Sequence, residues 1–206
     1  MFAFRMFYKF EMPIQRNMNL GKTIYLTNRN DWRSWLAKNH DKEKEIWLIY
    51  YRKSSGKPRI PYNDAIEEAL CYGWIDSTAK KIDEERFAQR FTPRRPKSKI
   101  SEMNKERVRR LIKKRKITPV GLNAISEVFD KFKDQAEKLA IAQDILEVLK
   151  ADKQAWENFQ NFSEGYKKVR IGFIESRRRH GDEIFQKSLQ HFLKMTAKNK
   201  KYGMVQ

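Results

Sequence analysis

Cysteine is almost absent: Cys71 stands alone in 206 residues. No intramolecular disulfide can form, and no second Cys or spaced His completes a redox pair or a zinc site. Histidine is scarce too, and His40, His180 and His191 show no metal-ligand spacing of the H-E-x-x-H kind. Glycine-rich phosphate loops and G-x-S-x-G are missing too. Glu67 and Glu68 fall on adjacent faces of a helix and cannot cooperate as acid and base. Nothing in this inventory specifies an enzyme, and no cofactor is expected. Long apolar runs are also lacking, and none approaches the ~20 residues that span a bilayer. The opening "MFAFRMFYKFEMPIQRNMNL" has the aromatic content of a signal but not its plan. Arg5, Lys9 and Glu11 break any apolar core, and no small-residue cleavage site follows. Residues 1–20 are expected to be a disordered leader, or to precede a true start at Met12 or Met18. The expectation is a cytoplasmic protein.

Acid is in short supply as well. Against 45 Lys and Arg stand 26 Asp and Glu, a net charge of +19. The surplus is uneven. Residues 77–116 carry sixteen cations against five anions, whereas 117–162 are slightly acidic. Such a field attracts polyanions and repels cations. It argues against direct capture of cationic peptides, which a surface of this sign would push away more strongly as salt falls.

What is present organises into a mixed first part and a helical second part. "GKTIYLTNRN" starts as a short strand and ends in capping residues, after which Trp32, Trp35 and Leu36 repeat at helical spacing. "EIWLIYYRK" is a continuous run of strand formers, so a strand buried on both faces. "YNDAIEEALCYG" reads as a helix closed by Gly73. The period then changes to two. Ile75, Ser77 and Ala79 alternate with Asp76, Thr78 and Lys80, and Phe87, Gln89 and Phe91 alternate with Arg86, Ala88 and Arg90. These runs predict a hairpin near 75–93 with a four- or five-residue connection, ended by Pro93 and Pro96. From Ser98 onward the pattern is helical, with Ser98 or Ser101 as N-cap and Ile100, Asn104, Val108, Leu111 and Ile112 on one face. Thr118 caps the next helix, with Pro119 in its first turn and Ile125, Val128, Phe129 and Phe132 as its stripe. Further helix-and-cap units follow at Asp152 and Ser163, where Tyr166, Val169 and Phe173 form the stripe, and after "HGD" at 180–182. The fold class expected is α+β: a small, mainly antiparallel sheet of three or four strands packed with helices over 21–125, then an all-helical segment over 126–206.

The blocks "WRSWLAKNH", "EIWLIYYRKSSGKP", "YNDAIEEALCYGWIDS", "DEERFAQRFTPRRPKSK" and "NKERVRRLI" stand in an order and spacing that resembles the bacterial YdeI/OmpD-associated, or bacteriocin-protection, family. The likeness is strong over about 21–125 and looser over "DKQAWENFQNFSEGYKKV" and the basic helix after it. One departure is Ile100, where the pattern has a Trp before "SEMN". The resemblance implies a non-enzymatic role in survival against antimicrobial peptides and bacteriocins, and association with an outer-membrane porin. It also implies a periplasmic location for some members, at odds with the missing signal here.

"QRFTPRRPKSKISEMN" carries the candidate site. Arg90, Arg94, Arg95 and Lys97 lie on a strand end and the loop beyond it, beside a helix start placed at Ser98. Free backbone N–H groups, the helix dipole and guanidinium groups together suit an anionic group. The plainer reading is a solvated connector whose arginines pair with Asp83, Glu84, Glu85 and Glu102. Asn104 is an amide on an otherwise apolar helix face and needs partners. It either shares the pocket of Arg90 or ties down the loop around Pro93–Pro96. Trp74 and Asp76 fall on one side of a strand, where they line a ligand pocket or serve as a core ring and an ion-pair partner. Cys71 reads as a small buried hydrophobe. The partner expected is an anionic small molecule or an acidic protein. Nucleic acid is the main rival, since phosphate contacts need no motif, but "VRRLIKKRK" keeps Val108, Leu111 and Ile112 for a core. A weaker alternative is an enzyme of unknown chemistry using Trp74, Asp76 and Arg90, which predicts a concave pocket between the hairpin and the "SEMNKER" helix.

Overall fold

Alternation sets the sheet. In the computed structural model, which describes residues 20–130 and 138–203, four strands pair in one sheet. They are β1 (Thr23–Tyr25), β2 (Ile46–Tyr51), β3 (Trp74–Lys81) and β4 (Arg86–Pro93), in the order β1-β2-β4-β3. β1 is parallel to β2, and the other two pairings are antiparallel. The expected hairpin is β3–β4. Its turn is organised by the Asp83 carboxylate, which accepts from the backbone N–H of Glu85 at 2.9 Å and of Arg86 at 2.7 Å. A bulge between Asp76 and Ala79 shifts the register along β3.

The pleat divides the side chains. Ile46, Leu48 and Tyr50 of β2 share a face with Phe91, Gln89 and Phe87 opposite them on β4. The apolar members of this face pack on Trp32 and Leu36 of α1 (Arg29–Asn39) and on Ala65, Ile66, Ala69 and Leu70 of α2 (Tyr62–Cys71). The other face carries Trp47 opposite Arg90 and Tyr51 opposite Arg86. There Lys80 lies over the Trp47 ring at 5.1 Å and Lys57 over Tyr51 at 4.5 Å. β2 is buried on both faces, as its unbroken apolar run requires.

The caps follow the sequence with one correction. Helix α3 runs Glu102–Lys113 with Ser101 as N-cap, its hydroxyl accepting from the Asn104 N–H at 3.3 Å. Ser98 starts no helix. Lys97 adopts φ 59°, and the Ser98 hydroxyl donates to the Arg95 carbonyl at 2.7 Å, so 94–100 is a tight loop. Two prolines and the left-handed residue between them and the helix delay its start by a turn. Thr118 caps α4 (Pro119–Asn123) as expected, but the helix is only five residues long. Ile125 and Phe129 join Val108 in a small cluster; Phe132 lies outside the described residues.

The rest is helical: α5 (Gln143–Ala151), α6 (Lys153–Asn161), α7 (Glu164–Arg177) and α8 (Asp182–Ala197). Asp152 caps α6 and Ser163 caps α7 through their side-chain oxygens. Ile145, Leu149, Phe159, Tyr166, Phe185, Leu189 and Phe192 form their common core. Helix α7 keeps the expected stripe, with Tyr166 and Val169 buried and Phe173 partly buried against the core, and adds two residues to it. Ile171 and Ile174 are buried, while Phe173 sits at the edge beneath the guanidinium groups of Arg170 and Arg177 at 5.3 and 4.1 Å. Two glycines bring α7 against α3. A Cβ on Gly165 would stand 2.8 Å from the Glu106 carboxylate, and one on Gly172 would stand 2.8 Å from Glu102 Cγ.

Candidate functional site

The basic stretch resolves into two environments. Arg90 points from β4 onto the face of the sheet opposite the helices and meets Glu45, which accepts from its Nε at 2.8 Å and from its Nη2. Glu45 also accepts from the Trp47 indole N–H at 3.1 Å. The Arg90 hydrogen bonds hold its carboxyl below the usual carboxylate range. Beside this pair opens a cavity of about 530 Å³ between the 40–44 loop and the end of β4. Its lining includes Lys42, Lys44, Arg90 and Arg95, against the carboxylates of Asp41 and Glu43. Four cations thus line the space with two anions, and it is large enough for a small ligand. Arg90 is held by Glu45 and Glu43 by Lys22, which leaves Lys42, Lys44 and Arg95 as the cations with no ion pair among the described residues. Trp74 supports it from the core: its buried indole N–H donates at 3.1 Å to the carbonyl of His40, the first residue of the loop.

Arg94 behaves differently. It is 7% exposed, its Nη2 donates to the Ser98 carbonyl, and its Nε and Nη1 have no partner among the described residues. Burial lowers its pKa, because a guanidinium removed from water without a counter-ion is disfavoured. Arg94 and Ser98 therefore close the loop on itself, and neither lines the cavity. Lys97 is exposed on the same loop.

Asn104 and Asp76 are drawn to a third place, on the helix-covered face. Asn104 neither reaches the Arg90 cavity nor ties down the 93–96 loop. Its Oδ1 accepts from Arg107 Nη1 at 2.7 Å, and Arg107 Nη2 donates to Asn63 Oδ1 at 3.0 Å. Arg107 is 4% exposed, and that desolvation lowers its pKa. Asp76 pairs with no arginine of the 86–95 run; it accepts from the Tyr62 hydroxyl at 2.6 Å and lies within electrostatic reach of Arg107.

Of the eight residues singled out in the sequence, two line the cavity (Arg90, Arg95) and one supports it (Trp74). Two more join the Arg107 cluster (Asp76, Asn104), and Arg94, Lys97 and Ser98 build the loop. Sequence reasoning missed Lys42, Lys44 and Glu45, because "DKEKE" reads as a solvated loop. It also missed Arg107, whose neighbours Arg109 and Arg110 made it look like one more surface charge. Glu67 and Glu68 prove to be structural. Glu68 is 1% exposed and accepts from Arg29 and, at 2.6 Å, from Arg33, while Arg29 Nη2 stands 3.0 Å from Glu67, so the pair fastens α1 to α2. Among the described residues no cluster of His, Cys, Asp or Glu could hold a metal ion, and no helix is long and apolar enough to cross a membrane.

Two family models match the chain. Residues 138–199, which include helices α5 to α8, match the family described as bacteriocin-protection, YdeI or OmpD-associated. Residues 24–124, with the sheet and the cavity, match a domain of unknown function. The family likeness thus rests on the helical segment, the part of the sequence where it looked looser, and the sheet-bearing motifs fall under a separate description. No curated protein and no solved structure matches the chain significantly.

Proposed function

We propose that this chain, whose helical segment matches the bacteriocin-protection model, is a non-enzymatic cytoplasmic binding protein. It takes an anionic group of a small molecule or acidic protein into the cavity between the 40–44 loop and the end of β4. One observation carries this reading: Arg90 and Arg95 share an open space of about 530 Å³ with Lys42 and Lys44. Guanidinium groups offer paired donors to phosphate or carboxylate, and the lysines add charge without fixed geometry. The net charge of +19 favours an anion at long range. The same charge opposes direct sequestration of cationic peptides, so a protective role would run through an acidic partner or ligand. The OmpD association recorded in the family's description fits a protein partner.

Titration with pyrophosphate and with an acidic peptide tests the reading. Replacing Arg95 and Lys44 together by Gln removes two cations and should weaken binding about tenfold or more, at roughly 1 kcal/mol for each charge-assisted contact. The salt dependence should be shallow, with a slope set by a few contacts. Unchanged affinity in the double variant refutes the site. A steep salt slope on duplex or single-stranded nucleic acid would point to the rival reading instead.

A further inference from the structure

A cationic corner stands apart from the cavity. Residues 107–126 hold seven Arg and Lys and no acid. Three of the seven are accounted for: Arg107 is buried, Arg109 pairs with Glu106 at 2.9 Å, and Arg110 stands 3.8 Å from Glu67. Lys113, Lys114, Arg115 and Lys116 are exposed, and their side chains make no ion pair or hydrogen bond among the described residues. They sit where α3 ends. Arg115 is left-handed at φ 53°, and the N–H groups of Arg115 and Lys116 donate back to the carbonyls of Ile112 and Leu111, so the chain reverses on these cations. The turn is anchored: the Lys116 carbonyl accepts from Arg33 at 3.1 Å, and the Thr118 N–H donates to the Cys71 carbonyl at 3.2 Å. Four like charges held together without counter-ions favour an outside anion.

Helix α4 follows at once and adds apolar surface. Gly121 faces α2, where a Cβ would stand 2.3 Å from the Cys71 carbonyl oxygen. Its two neighbours are each turned about 100° from it around the helix. Val120 and Leu122 therefore stand on opposite flanks of α4, 46% and 40% exposed. Among the described residues only Tyr62 and Ile184 are large apolar side chains of comparable exposure. Val120 lies four residues beyond Lys116, at most ~14 Å away along an extended chain. Cations and aliphatic side chains on one corner are the two elements of binding to an anionic bilayer. Charge draws the protein to lipid phosphates, and the apolar groups enter the headgroup boundary. A narrow groove in a partner protein would take one flank of α4, whereas a fluid interface closes around both. Residues 113–123 include no aromatic ring on which a nucleic-acid base could stack. We propose that residues 113–122 dock the protein on an anionic lipid surface, independently of the anion cavity.

Vesicle flotation with the full chain tests this. Vesicles of equal parts phosphatidylglycerol and phosphatidylcholine should carry the protein at low salt, and vesicles of phosphatidylcholine alone should not. Replacing Lys113, Lys114 and Lys116 together by Gln should lower partitioning about a hundredfold, at roughly fivefold for each lysine. Val120→Gln with Leu122→Gln should lower it roughly fivefold or more, through the lost apolar contact. All five side chains are exposed, so thermal melts of both variants should match the parent. Arg95→Gln with Lys44→Gln, which empties the cavity of two cations, should bind vesicles as the parent does. Equal flotation with both kinds of vesicle overturns the proposal, as does binding that survives the triple lysine variant. Binding that the Val120 and Leu122 changes leave untouched overturns it too, and assigns the cations to a polyanion such as an acidic protein or nucleic acid.

Discussion

Gly121→Ala should be costly out of proportion to one methyl group. Gly121 sits in α4, where that short helix abuts the last turn of α2. A Cβ there would stand 2.3 Å from the Cys71 carbonyl oxygen and 2.7 Å from that of Leu70. Both are backbone atoms, so no side chain can rotate away. α4 must back off by roughly 1 Å to reach ordinary contact. The Thr118 hydroxyl and N–H, which donate to that same Cys71 carbonyl at 2.5 and 3.2 Å, would then stretch. Overpacking of this kind costs about 1–3 kcal/mol and a weakened hydrogen bond about 1 kcal/mol, while Ala in a helix returns about 1 kcal/mol. The net loss is about 1–3 kcal/mol, or roughly 3–10 °C in Tm for a chain of this length. Thermal and urea unfolding followed by the fluorescence of buried Trp32 and Trp74 measures it. Gly165→Ala is the control, since its new methyl meets the movable end of the Glu106 side chain, and its Tm should hardly change. If Gly121→Ala is as stable as the parent, close backbone approach does not hold α4 in place.

Two further outcomes follow from the electrostatics. Cys71 is buried and its thiol is pushed up to about 11, chiefly by desolvation, so the folded protein should resist thiol-labelling reagents at neutral pH and react on unfolding; rapid labelling of the native state would contradict this placement. Glu45 is held low by Arg90, so its stabilising effect is complete above the ordinary carboxylate value of about 4.3 and fades as pH falls through its lower folded value. The stability gap between the parent and Glu45→Gln should therefore shrink below about pH 4.3, and a gap unchanged down to roughly pH 3 would refute the pairing. By releasing Arg90, Glu45→Gln should also tighten anion binding in the cavity.

The elements were legible because their signals are local. The two-residue period of 86–91 gave β4 its faces, and Thr118, Asp152 and Ser163 announced helix starts that the structure keeps. Of the two N-caps the sequence offers for α3, Ser98 and Ser101, the structure uses Ser101, because a left-handed Lys97 and two prolines prolong the loop past Ser98. The site was legible only in part. Arg90 and Arg95 were visible as charges, but their neighbours Lys42 and Lys44 arrive through the crossover from β1 to β2, which no sequence window contains. Asn104 gave itself away as an amide on an apolar face. Its partner Arg107 did not, because a buried guanidinium and a surface one have the same spacing on a helix. Phe173 packs on the core with one part of its ring and carries the guanidinium groups of Arg170 and Arg177 over it, a shared role that spacing on a helix does not reveal.

The glycines of α7 set a condition on evolution and engineering alike. Gly172 leaves room for the Glu102 stem and Gly165 for the Glu106 carboxylate, while α3 falls within one family description and α7 within the other. A foreign α7 with full-sized side chains at both positions would press on those glutamates far more than the single methyl of Gly165→Ala, whereas a foreign α3 would remove them. A chimera that keeps α3 should stay whole when its α7 is small at these positions.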